Sequence, residues 1–185
     1  RYFFWGADTP HRDWCHCSGC AGMTASDQSL MTSNRILGEL RKTNPEAQVC
    51  FLAYYSTFEA PETVSPADGV FCEYAPYMRC YHHALDDASC SINRKYFKVL
   101  LDLLKVFPPE RMHVLEYWLD SSYYSYSGPY VKPVFIPDVV KRDLKLYHSL
   151  GIRSITTFAV RMDGEYFKLY GDRELKLYSE FINAL

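Results

Sequence analysis

Short apolar runs that end in acidic or aromatic side chains recur along the chain. Tyr2-Phe3-Phe4-Trp5-Gly6 leads into Ala7-Asp8, and Val70-Phe71-Cys72 into Glu73-Tyr74. Met112-His113-Val114-Leu115 leads into Glu116-Tyr117-Trp118, and the run Ser154 to Val160 into Arg161-Met162-Asp163. Gln48 to Tyr55 reads as a further strand, because Val49-Cys50-Phe51-Leu52 is continuously apolar, as in a parallel sheet covered on both faces. Between these runs the apolar spacing is helical. Leu30, Leu37 and Leu40, widened by Met31, predict a helix over 26–42 that Asn44-Pro45 stops. Tyr96, Phe97, Leu100, Leu101 and Leu104 predict one over 93–106, with Asn93 as its cap and Pro108-Pro109 as its break. Two more are predicted over 138–150, closed by Gly151, and over 172–184.

The order β-loop-α, repeated about five times without short hairpin turns, points to an α/β fold with parallel strands and helical crossovers. Five units do not close an eight-stranded barrel. The chain reads either as a doubly wound domain or as the C-terminal part of a (β/α)8 TIM-type barrel. Because residues 2–6 already read as a core strand, the second reading is preferred, with residues 1–185 forming a single partial barrel domain. In such barrels the C-terminal strand ends form the active face, which gives the recurring strand-end carboxylates their interest.

Charge narrows the classes. A formal net charge of -2 and a pI near 6.3 lack the basic excess of a nucleic-acid surface. No apolar run approaches the roughly 18 residues of a membrane span. Tyrosine dominates the aromatics (16 Tyr against 11 Phe and 3 Trp). That fits either a Tyr-rich core and surface or a cleft in which flat rings stack on sugar C–H faces. Cys50 and Cys72 sit in apolar strands as packed thiols. The other five cysteines lie in loops, as a disulfide framework of an exported protein or as metal ligands.

The candidate chemistry falls in three places. Asp8, Glu73, Glu116 and Asp120 follow apolar strands, and glycosidic cleavage uses two acidic groups, one to protonate the leaving oxygen. Burial among aromatics raises the pKa of such an acid. The segment Arg79-Cys80-Tyr81-His82-His83-Ala84-Leu85-Asp86-Asp87 is the densest polar cluster. Arg79 suits a substrate oxygen, one of His82 and His83 suits a sugar hydroxyl or a reacting carboxylate, and the pair together suits a metal. Cys15-His16-Cys17-Ser18-Gly19-Cys20 offers three thiolates for a structural zinc completed by Cys80, Cys90 or a His. A disulfide, such as Cys80 with Cys90, is the other reading of these loops.

The run Trp5-Gly6-Ala7-Asp8 into Trp14-Cys15-His16-Cys17-Ser18-Gly19-Cys20, then Tyr74-Ala75-Pro76-Tyr77-Met78-Arg79-Cys80-Tyr81-His82-His83-Ala84-Leu85, then Cys90 and Asn93, resembles a bacterial family. That family was catalogued as domain of unknown function 4838 and later tied to glycoside hydrolase family 163. The resemblance spans nearly the whole chain. It implies a TIM-type barrel related to hexosaminidase and α-glucuronidase barrels. It also implies an exported, retaining endo-β-N-acetylglucosaminidase in which the substrate's acetamido group is the nucleophile. Hexosaminidase barrels end their fourth strand in consecutive Asp-Glu, whereas here Asp8 precedes Thr9. On this resemblance the acid comes from Glu116 or Glu73, and Tyr117 or Tyr74 orients the acetamido group.

Three functions follow. The first is a glycoside hydrolase acting on N-acetylglucosamine-containing glycans. Asp8, Glu73 and Glu116 are its catalytic residues, and Tyr74, Tyr77, Arg79, His82, His83, Tyr117, Trp118 and Asp120 its substrate-binding residues. Its expected partner is a glycan, with no catalytic cofactor and with structural zinc or a disulfide at Cys15, Cys17 and Cys20. The second is a non-catalytic carbohydrate-binding protein on the same scaffold. The third is a metal-dependent hydrolase using His82, His83 and Asp86.

Overall fold

A computed structural model of the chain describes residues 1–6, 14–122 and 127–184. Its fold is α/β. A single four-stranded parallel sheet runs in chain order from β1 (Val49–Ala53) through β2 (Val70–Tyr74) and β3 (Met112–Glu116) to β4 (Ser154–Thr157). Helix α1 (Ala25–Leu40) precedes β1, and between the later strands lie α2 (Ser91–Val106) and α3 (Pro137–Ser149). After β4 come α4 (Gly164–Tyr170) and α5 (Arg173–Asn183). Among the described residues no helix is long and apolar enough to cross a membrane.

By compactness the chain divides into residues 1–75 with 98–113, and residues 76–97 with 114–185. In the first unit β1 and β2 pair in parallel, with Cys50 opposite Phe71 and Leu52 opposite Glu73. Strand alternation therefore puts Cys50, Leu52, Phe71 and Glu73 on one face. Val49, Phe51, Ala53, Val70, Cys72 and Tyr74 occupy the other, where Phe51 stacks on Phe107 at 5.6 Å. Helix α1 is set by a capping box, since Thr24 and Asp27 satisfy each other's backbone amides. Asp27 also ties down a loop: its Oδ1 accepts from the amides of Glu62, Thr63 and Val64 at 2.8–3.0 Å. Burial alone would raise the pKa of Asp27, but these amides and Thr24 hold it well below the carboxylate range.

In the second unit α3 buries Val140, Asp143, Leu144 and Tyr147. The helix closes where predicted, with Gly151 at φ 86° supplying the left-handed residue after the cap. Asp163 caps α4 by accepting from the amides of Glu165 and Tyr166.

Several expected boundaries move. Of the strand expected over 2–6, Tyr2 alone makes a bridge, parallel to Val49. The fourth and fifth expected strands shorten to Met112–Glu116 and Ser154–Thr157. Asn93 does not cap α2: the helix starts two residues earlier, at Ser91, and the Asn93 side chain binds the preceding loop instead. Helix α4 was not expected, because seven residues are too few to show a helical period.

Candidate functional site

Glu73 is one residue from the end of β2 and only 1% exposed. Its Oε2 accepts from the Trp5 indole at 2.6 Å, a contact made across 68 residues of chain. Its Oε1 lies 3.9 Å from Nε2 of His113. Phe3, two residues before Trp5, packs edge-on against both Phe71 (5.3 Å) and His113 (5.2 Å). The Trp5 segment thus lies over the Phe71/Glu73 face of β2. Burial raises the Glu73 pKa, against the opposing pull of the Trp5 and Cys50 hydrogen bonds. Burial also pushes His113 down to about 4, helped by the charge of Arg1. Near neutral pH the pair is therefore a desolvated carboxyl beside an uncharged imidazole. Such a carboxyl has the character of a general acid.

Glu116 ends β3 and is differently placed. It is fully buried, and both its oxygens are engaged: Oε2 takes Nε of Arg79 at 3.1 Å and Oε1 takes the Tyr147 hydroxyl at 2.5 Å. Arg79 reaches on to Asp143, whose Oδ2 is 2.5 Å from Nη2. The Asp143 Oδ1 in turn accepts from the Leu85 amide at 2.7 Å. One guanidinium therefore serves two carboxylates, all with side chains at 0% exposure. Burial raises the pKa of both against the pull of Arg79, and for Glu116 the charge of Asp143 adds to the rise. This network locks the 79–85 loop onto α3, and its chemistry is that of a buried brace.

The other expected residues divide by burial. Tyr117 stacks on Phe158 at 5.3 Å and meets Tyr77 edge-on at 5.0 Å, an aromatic cluster just past β3 in which Tyr117 is buried and Tyr77 and Phe158 are half-buried. Tyr74 is fully buried on the face of β2 opposite Glu73, beside Phe58 at 5.6 Å. Trp118 is also fully buried, 6.1 Å from Tyr178. Asp120 accepts from the Ser122 amide and hydroxyl and so shapes its own loop. Arg79 faces Glu116 and Asp143 rather than solvent, while His82 and His83 are exposed. Asp86 pairs with Arg142 at 2.7 Å. Asp8 lies outside the described residues.

Cys15, Cys17 and Cys20 come together as the sequence predicts, their sulfurs within 4.8 Å of one another. All seven cysteines are free. Hydrogen bonds from its two neighbours lower the Cys17 pKa and leave Cys20 raised to about 11. One low-pKa thiol beside two others is a donor set that fits zinc, with a fourth ligand still to be supplied.

Four participants were not anticipated from sequence: Trp5, His113, Asp143 and Tyr147. Two carried a signal. His113 is a polar residue inside an apolar strand. Asp143 falls on the buried stripe of α3, between Val140, Leu144 and Tyr147, where an unpaired carboxylate would be costly.

No curated protein and no solved structure matches the chain. A family model described as a domain of unknown function, DUF4838, matches residues 6–181. That span takes in both units and nearly the whole sequence, and the chain belongs to the DUF4838 family.

Proposed function

We propose that the protein is a glycoside hydrolase acting on N-acetylglucosamine-containing glycans, with its parallel sheet forming the C-terminal part of a (β/α)8 barrel. The observation that carries this reading is Glu73, a carboxyl at a strand end, desolvated, and covered by an indole that donates to one oxygen only.

In the proposed reaction Glu73 gives its proton to the leaving glycosidic oxygen. The acetamido oxygen of the substrate bonds to the anomeric carbon as the C–O bond to the leaving group breaks. Water then opens the resulting oxazolinium ion and returns a proton to the Glu73 carboxylate, so the configuration is retained. Asp8 is assigned to holding the acetamido group. The remaining parts of the proposal are export from the cell and a structural zinc at Cys15, Cys17 and Cys20, with no cofactor in the chemistry.

A second reading, a carbohydrate-binding protein without hydrolytic activity, is favoured by the engagement of both Glu116 oxygens. Glycan release from a glycoprotein by the protein at its natural length separates the two. The hydrolase reading expects release by the wild type and a loss of about 10²–10⁴-fold in Glu73→Gln. The binding reading expects glycan retention by both proteins and release by neither.

A further inference from the structure

Apart from the Cys15–Cys20 loop, a second group of metal-ligating side chains is assembled within the second unit. Cys80, His83 and Cys90 place their two sulfurs and one ring nitrogen within 4.8 Å of one another, and the Cys80 sulfur is 3.2 Å from Nδ1 of His83. All three come from eleven consecutive residues, in the spacing Cys-x2-His-x6-Cys.

The backbone that presents them is held in place. Asn93 is fully buried. Its Oδ1 accepts from the Cys80 amide at 2.8 Å, and its Nδ2 faces the carbonyls of Cys80, His83 and Ala84 at 2.9–3.0 Å. The Asn93 amide lies 3.5 Å from the Cys90 sulfur and donates to it. One side chain therefore fixes the backbone at two ligand positions and its amide polarises the third. Arg79, anchored by the Glu116–Asp143 brace, adds a contact to the His83 carbonyl at 3.4 Å. This is the kind of outer-shell support that orients metal ligands.

We propose that Cys80, His83 and Cys90 form a zinc-binding site with three protein ligands. Tetrahedral zinc, with Zn–S of about 2.3 Å and Zn–N of about 2.0–2.1 Å, needs sulfur–nitrogen and sulfur–sulfur separations of roughly 3.6–3.8 Å. The ligand atoms already lie within 4.8 Å of one another, close to that geometry. Two thiolates and an imidazole suit zinc better than calcium or magnesium, which take oxygen ligands. Binding one Zn²⁺ releases the two thiol protons and leaves a site with no net charge. Among the described residues the group has three members, with His83 exposed and Cys80 half-exposed. The fourth position therefore opens toward solvent and takes water or an exogenous ligand.

The test uses the natural-length protein, reduced and stripped of metal with a chelator, then loaded with Zn²⁺ or Co²⁺. A Cys15→Ser/Cys17→Ser/Cys20→Ser background removes the other thiol cluster. In that background one equivalent of zinc should be retained after gel filtration. Cobalt should give a thiolate charge-transfer band and a four-coordinate visible spectrum. His83→Ala, a change at an exposed side chain, should weaken binding at least about tenfold, and Cys80→Ser should abolish the charge-transfer intensity from its sulfur. Far-UV circular dichroism confirms that each variant is folded. Absence of metal uptake in the background, unchanged affinity in His83→Ala, or a Cys80–Cys90 disulfide in peptide maps of the isolated protein would each overturn the proposal.

Discussion

Replacing Arg79 with methionine removes the one cation between two buried carboxylates while keeping most of the side-chain volume. Arg79, Glu116 and Asp143 all have 0% exposed side chains, at separations of 3.1 and 2.5 Å. Removing one member of a buried pair costs about 3–5 kcal/mol, because the partner is left charged and unsolvated. Two pairs share the same guanidinium, so the costs do not add, and about 4–5 kcal/mol is expected. A domain is stable by only about 5–15 kcal/mol, so the variant should be marginal. With a urea slope of about 1–3 kcal/mol per molar, the midpoint should fall by roughly 2 M.

The pH dependence identifies the cause. Without Arg79 the folded-state pKa values of Glu116 and Asp143 rise further above their ordinary 4.5 and 3.8. Folded protein then holds protons that unfolded protein has released, and stability falls as pH rises through that interval. The deficit of Arg79→Met against wild type should be full at pH 7.5 and shrink steadily toward pH 4. Urea titrations followed by tryptophan fluorescence at pH 7.5, 6 and 4.5 measure it. A loss below about 1 kcal/mol at pH 7.5, or a deficit that does not vary with pH, would refute the buried-brace account.

Other outcomes follow from the same reasoning. His113, with its folded pKa near 4 against 6.5 for the free group, contributes stability above pH 6.5 that is lost as pH falls toward 4. Discounted for residual solvation, the loss is on the order of 1–2 kcal/mol; comparing His113→Asn with wild type at pH 7.5 and 4.5 checks it, and equal slopes would contradict it. Asp27→Ala strands the amides of Glu62, Thr63 and Val64 and opens the capping box. It should cost about 2–4 kcal/mol in chemical denaturation, and a neutral effect would show that those amides find other partners. Trp5→Phe removes the indole donor to Glu73 and should shift the alkaline limb of any pH–rate profile upward, since that hydrogen bond lowers the pKa of the carboxyl that must be protonated to act. An unmoved profile would separate Trp5 from the chemistry.

The strands and long helices were legible because their apolar residues are continuous or helically spaced. Val49–Ala53 and Val70–Tyr74 fall within the expected runs, and α1, α2 and α3 begin and end within two residues of expectation. Strand ends were less legible: Tyr117 and Trp118 extend the apolar pattern of β3, but the backbone turns after Glu116. The strand-end carboxylates drew attention as a set, yet sequence could not tell how differently Glu73 and Glu116 are held. That difference lies in partners far along the chain. Glu73 meets Trp5 across 68 residues, and Glu116 meets Arg79 and Tyr147 across 37 and 31. Tyr74, one residue after Glu73, occupies the opposite face of β2 and is fully buried there, as strand alternation requires. The Cys15–Cys20 loop was readable because its thiols are close in sequence. The Cys80–His83–Cys90 group was not seen as a unit, because it depends on Asn93, which was read as a helix cap.

The most direct test of the central claim is the rate of glycan release by the natural-length protein, measured for wild type, Glu73→Gln and Glu116→Gln on the same N-glycosylated substrate. With Glu73 as the acid, Glu73→Gln should lose about 10²–10⁴-fold in kcat while staying as stable as wild type. Glu116→Gln should lose mainly stability, with its activity recovering under stabilising conditions. A Glu73→Gln protein that cleaves at the wild-type rate would contradict the assignment, and a wild type that binds but never cleaves would contradict the enzyme itself.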